Sequence, residues 1–151
     1  MDFLPINIRI SSANILIVGG GRVATHKAQI LSRFTSKATV IAKNISNEIK
    51  ALNFKTIEKE FQEDDLNGVT LLYVCTQDRR LNHKIKLLAQ KRGILTSVCD
   101  SPFLCDFTSP AIFTSGSISV AVSSDAKDVK RSIRVRNIIK EEIENGILQI
   151  S

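Results

Sequence analysis

The chain has 151 residues, 43% of them hydrophobic and 24% charged, with a formal net charge of +6. That is enough to bury the core of one globular domain with a small appendage, and it excludes a disordered polar segment. No apolar run approaches the roughly 20 residues that cross a bilayer, and MDFLPINIRI lacks the basic-then-apolar order of a signal peptide, so a cytoplasmic protein with no membrane partner is expected.

Asn14–Val18 (NILIV) is apolar and β-branched between turn residues, which predicts a buried strand. Arg22–Phe34 follows as a helix, with Val23, Ala24, Ala28, Ile30, Leu31 and Phe34 along roughly one stripe. Lys37–Ala42 is a second strand, Ser46–Leu52 a short helix capped by Ser46, and Phe54–Glu58 a third, weaker strand. Val69–Cys75 (VTLLYVC) has the strongest strand character. Arg79–Arg92 is a helix stopped by Gly93, and Ile94–Val98 a fifth strand.

Strands alternating with helices predict an α/β fold, a Rossmann-like parallel sheet wound by helices. From Asp106 the helical periodicity stops. Pro110–Phe113 and Ser117–Val122 alternate around a Ser115-Gly116 turn, a β-hairpin suited to pairing with a second copy. A last helix runs from about Asp128 to Asn145, with Val129, Ile133, Ile139 and Ile143 expected inside. The division expected is an NAD-binding Rossmann domain over 1–105 and a hairpin-plus-helix dimerisation region over 106–151.

Between the first strand and helix stands GGGRVA. Gly19, Gly21 and Ala24 match the G-x-G-x-x-G/A spacing of dinucleotide sites in the required strand-to-helix context. In such sites the first glycine makes the turn, the second admits the pyrophosphate, and the third small residue lets helix and strand pack. The helix amides then face the anion. The acid that usually bonds the ribose at the end of the second strand is absent, since that place holds Ala42, Lys43 and Asn44. Either Asn44 and the backbone bond the ribose, or Lys43 pairs with a 2′-phosphate and favours NADP.

Thr76-Gln77-Asp78 and Asp100 follow the fourth and fifth strands, at the edge where such sheets bind ligands. Asp100 reads equally as an acid–base group or as a turn residue before Pro102. Cys75, Cys99 and Cys105 are odd in number and form no CxxC pair, and the two histidines, His26 and His83, lie on predicted helices. Buried free thiols and no metal site are expected. Lys127, Lys130, Arg131, Arg134, Arg136 and Lys140 stand against one acid, Asp128: a patch for anions, or a solvated helix face. Nucleic acid is not the expected partner, because aromatics make up 5% and no recognition motif accompanies the patch.

MDFLPI, LIVGGGRVA, TVIAKN, CTQD-x-x-x-N, VCDSP and SISVAVSS follow one another in order over about the first 125 residues. In this the sequence resembles the precorrin-2 dehydrogenase family, which includes the amino-terminal part of siroheme synthase. The resemblance implies NAD-dependent oxidation of precorrin-2, a tetrapyrrole, to sirohydrochlorin. It implies NAD contacts at Gly19, Gly21, Arg22, Val23, Lys43 and Asn44, a catalytic aspartate at Asp100, a serine near the substrate at Ser124, and a homodimer built by the hairpin region.

Thr76 and Asp78 are added as cofactor-side candidates, and Arg131 and Arg134 as groups for the substrate carboxylates. The chain departs from the family after SVAVSS, where DAKDVKRS replaces a Gly-Gly-Thr-Ser-Pro-like segment. It also stops at Ser151, where many relatives continue into a helical domain, so an open substrate site is expected. The alternatives are a non-catalytic dinucleotide- or tetrapyrrole-binding regulatory module and a dehydrogenase that also inserts iron.

Overall fold

The computed structural model describes residues 1–99 and 101–149. They divide into two compact units, residues 7–107 and residues 1–6 with 108–151.

In the first unit, β1 (Ile15–Val18), β2 (Ala38–Ala42), β3 (Lys55–Glu58), β4 (Leu71–Val74) and β5 (Leu95–Val98) form a wholly parallel sheet in the order β3-β2-β1-β4-β5. Ile17 and Leu72 are wholly buried, and burial of a side chain of that size contributes roughly 1.5–3 kcal/mol. Successive side chains point to opposite faces of the sheet. Ile15, Ile17 and Val40 pack with α1 (Arg22–Leu31) and α2 (Asn47–Lys50) through Ala24, Ala28, Leu31 and Ile49. Leu16, Val18, Leu72 and Val74 pack on the other face with Ile85 and Ala89 of α3 (Arg79–Lys91).

The Rossmann-like sheet read from the sequence is thus borne out, and the chain order reverses between β1 and β4. At such a switch point the crevice at the carboxyl ends of the strands is open to a ligand. Two 3-10 turns, Glu63–Leu66 and Pro102–Leu104, were not expected. The first is held by a reciprocal cap between Gln62 and Asp65.

In the second unit, β6 (Ala111–Ser115) pairs antiparallel with β7 (Ile118–Val122), and α4 (Val129–Glu144) packs on both strands. The turn is Gly116–Ser117 rather than Ser115-Gly116, because Ser115 is still paired with Ile118. The inner face of α4 also corrects the sequence reading. Val129 and Ile133 are 63% and 40% exposed, Ile139 and Ile143 are half-buried, and the most buried residue is Ser132. The packed stripe runs through Ser132, Arg136 and Ile139, so it keeps the carboxyl-terminal half of the expected stripe and leaves out Val129 and Ile133. Arg136 Nη1 donates to the Ile112 carbonyl at 3.0 Å, which anchors that face to β6.

Candidate functional site

A cavity of about 860 Å³ opens at the carboxyl ends of β1, β2 and β4, within the size range of cofactor pockets. Its floor is the glycine turn. Gly19 has φ +129, and a Cβ there would lie 2.5 Å from the Cys75 carbonyl oxygen, so only glycine fits beside β4. The Gly19 N–H donates to the Ile41 carbonyl at 2.9 Å.

Gly20 is tighter still, since a Cβ there would fall onto the Asn44 carbonyl oxygen and 2.9 Å from Ile45 Cα. The Ser46 N–H donates to the Gly20 carbonyl at 3.0 Å, and the Thr25 and Ser46 hydroxyls meet at 2.8 Å. These contacts bring the end of β2 against the glycine turn.

Gly21 differs: no atom lies within 4 Å of where its Cβ would be. It is the N-cap of α1, no side chain caps that end, and the first turn holds no acid. The opening amides of α1 therefore border the cavity, with room over Gly21 for a group to approach the backbone. The donor set fits a pyrophosphate: backbone N–H groups at a helix start, with Arg22 beside them. A nicotinamide dinucleotide fits this cradle.

The opposite wall is the turn from β4 into α3. Asp78 Oδ1 accepts the N–H groups of Arg80 and Leu81 at 2.9 and 3.1 Å, capping α3. Thr76 Oγ1 lies 2.5 Å from Asn82 Oδ1, and Asn82 Nδ2 donates to the Thr76 carbonyl at 3.0 Å. Thr76 and Asp78 border the cavity with side chains already engaged in shaping this turn. At the β2 edge, Lys43 Nζ lies 2.5 Å from Glu60 Oε1, and both residues line the cavity. The Lys43 ammonium beside it holds the Glu60 carboxyl below the usual carboxylate range.

The model of the family described as "Putative NAD(P)-binding" matches residues 6–111, which span β1 to the start of β6. The chain belongs to that NAD(P)-binding family. Among individual relatives, it is 37% identical to the siroheme synthase of Photorhabdus laumondii over 131 residues, covering 84% of this chain and 28% of that protein. It is 39% identical to the siroheme synthase of Nitrosomonas eutropha over 129 residues, covering 82% of this chain and 27% of that one.

This NAD(P)-binding chain therefore spans somewhat more than a quarter of the length of those relatives. A solved structure named SirC, precorrin-2 dehydrogenase, superposes with a TM-score of 0.77 over 93% of this chain and 70% of that one, at 23% identity; it shares the fold. The resemblance read from the ordered motifs is borne out by these matches.

Gly19, Gly21, Arg22, Val23, Lys43, Asn44, Thr76 and Asp78 line one cavity of the NAD(P)-binding unit, whereas Ala24 is buried on the inner face of α1. Asp100 lies outside the described residues. Ser124, Arg131 and Arg134 belong to the other unit, where the Ser124 hydroxyl accepts the Asp128 N–H at 3.0 Å. Among the described residues, Lys130, Arg131 and Arg134 pair with no acid, while Lys127 is held by Asp125 at 2.7 Å.

Sequence reasoning missed Gly20 and Glu60. Its place between the two fingerprint glycines was the available signal for Gly20. None existed for Glu60, which reaches the cavity through strand pairing. Among the described residues no helix is long and apolar enough to cross a membrane, and no group of three or more metal-ligating side chains occurs.

Proposed function

We propose that the chain binds NAD and oxidises precorrin-2 to sirohydrochlorin, a step towards siroheme or cobalamin. The observation that carries this reading is that siroheme synthases align with more than four fifths of this chain at over a third identity. A nicotinamide dinucleotide, when bound, supplies the hydride acceptor. The chain's own residues hold, orient and move a proton. Gly19, Gly21, Arg22 and Val23 present backbone to the pyrophosphate, with Ala24 packing beneath. Lys43 and Asn44 take the ribose end, and Thr76 and Asp78 fix the facing wall.

Oxidation removes a hydride and a proton from the macrocycle. In this proposal Asp100, two positions past the end of β5, accepts the proton as general base. Arg131 and Arg134 recognise the acetate and propionate groups of the substrate, for which guanidinium forks are suited, with Ser124 as a further contact. Anaerobic turnover of precorrin-2 with NAD, followed by sirohydrochlorin absorbance, tests this. Wild type should turn over and Asp100→Asn should lose activity by roughly a hundredfold or more. NAD binding without turnover would favour the regulatory module instead. Arg131→Ala with Arg134→Ala should weaken substrate binding and leave NAD binding unchanged.

The active form is proposed to be a homodimer. The support is the apolar pair that α4 does not bury: Val129 and Ile133, one helical turn apart, are 63% and 40% exposed. Ile133→Asp should yield a monomer by light scattering, and an unchanged mass would remove the dimer from the proposal.

A further inference from the structure

We infer that Glu60 reads the ribose of the dinucleotide and, with Lys43, selects NAD against NADP; this rests on the cofactor reading above. The β2–β3 pairing ends with Ala42 opposite Glu58, and the Lys59 N–H donates onward to the Ala42 carbonyl at 3.0 Å. That register sets Lys59 and Glu60 beside Lys43 and Asn44 at the carboxyl edge, and all four line the cavity. No acid stands at the end of β2, where this fold ordinarily supplies one for the ribose hydroxyls. Glu60 brings a carboxylate to the same edge from the neighbouring strand.

The charges decide between the two cofactors. Lys43 is engaged by Glu60 at 2.5 Å, and Lys59 by Asp65 at 2.5 Å, so neither lysine is available to an incoming anion without losing its partner. A ribose diol can donate to Glu60 while Lys43 stays paired, because an ionised carboxylate has acceptor sites beyond those one ammonium occupies. A 2′-phosphate carries roughly −1.5 to −2 charge and meets that carboxylate as a like charge. The lysine that reads from sequence as an NADP signal is thus neutralised by its neighbour.

Titration calorimetry of the full chain with NAD and with NADP tests this, using wild type, Glu60→Gln and Glu60→Asp. Wild type should bind NAD more tightly. Glu60→Gln should shrink the NADP-to-NAD ratio of dissociation constants about tenfold, mainly by tightening NADP as Lys43 is released. Glu60→Asp, which keeps the charge, should retain most of the preference. The melting temperature should stay unchanged throughout, since an exposed pair contributes little to stability. A ratio unmoved in Glu60→Gln while NAD still binds would overturn this inference alone. A wild type that binds neither nucleotide would overturn the cofactor reading and this inference with it.

Discussion

Asp125 holds Phe3: its Oδ1 accepts the Phe3 N–H at 2.9 Å across 122 positions of chain, and the Asp2 N–H at 2.8 Å. Lys127 Nζ completes the cluster at 2.7 Å from Oδ2. Lys127 and these two amides lower the Asp125 pKa from the usual 3.8 to about 2. A carboxyl depressed on folding stabilises the fold above its unfolded pKa and loses that contribution as pH falls from about 4 to 2. Lys127 is raised by the same contact, so its contribution is present at neutral pH and fades as pH climbs beyond 10.5. Asp125→Asn should lower the melting temperature at pH 7, and the gap to wild type should close towards pH 2. Scanning calorimetry across that range checks it; a gap independent of pH would mean that the charge is not what holds Asp2 and Phe3.

Asp125 and Ala126 both have positive φ, 58 and 60. Aspartate tolerates this region, whereas alanine there costs about 1 kcal/mol. Ala126→Gly should therefore stabilise the protein, by somewhat less than that figure because glycine also loosens the unfolded chain. Urea unfolding would register the gain as a higher midpoint at an unchanged slope.

Two adjacent glycines should respond in opposite ways. Gly20→Ala drives a methyl into the Asn44 carbonyl, a backbone clash that should destabilise by about 3 kcal/mol and displace the end of β2. Gly21→Ala meets no atom within 4 Å and should leave the melting temperature unchanged. Its methyl would occupy the space over the α1 amides, so dinucleotide affinity should fall about tenfold or more. Paired melting and binding measurements on both variants separate the scaffold from the cradle.

On α3, Lys86 is nearly buried, and its Nζ sits 2.5 Å from Asp106 Oδ2, which also accepts the Thr96 N–H at 2.9 Å. Asp106→Asn strands a buried ammonium and should cost about 3 kcal/mol. Replacing the pair together by Lys86→Met and Asp106→Asn should cost less than Asp106→Asn alone, because no unpaired charge is left behind. A double-mutant cycle in denaturant measures the difference.

The parallel sheet was legible because NILIV, ATVIA and LLYV are runs of mostly apolar, β-forming residues set between turn residues. That pattern is local and needs no tertiary information. The glycine turn was legible for the same reason. Glu60 was not, because its place depends on the register of β3 against β2, a contact between segments whose spacing encodes nothing about the cavity. The first half of the packed face of α4 was misread for a related reason. Apolar periodicity names the stripe that must be covered, and here Ser132 and Arg136 face the hairpin while Val129 and Ile133 do not. Asp125 read as part of a lost glycine segment, and only its bonds to Asp2 and Phe3 explain what stands there instead.

The unit formed by residues 1–6 and 108–151 is split by the sheet-bearing unit, which is continuous in the chain. On the ribosome the first six residues emerge before anything they bind, and Asp125 follows only after every strand of the sheet has left the tunnel. The connectivity therefore sets an order of synthesis: every residue that lines the glycine-turn cavity is made before the Asp125 that holds Asp2 and Phe3.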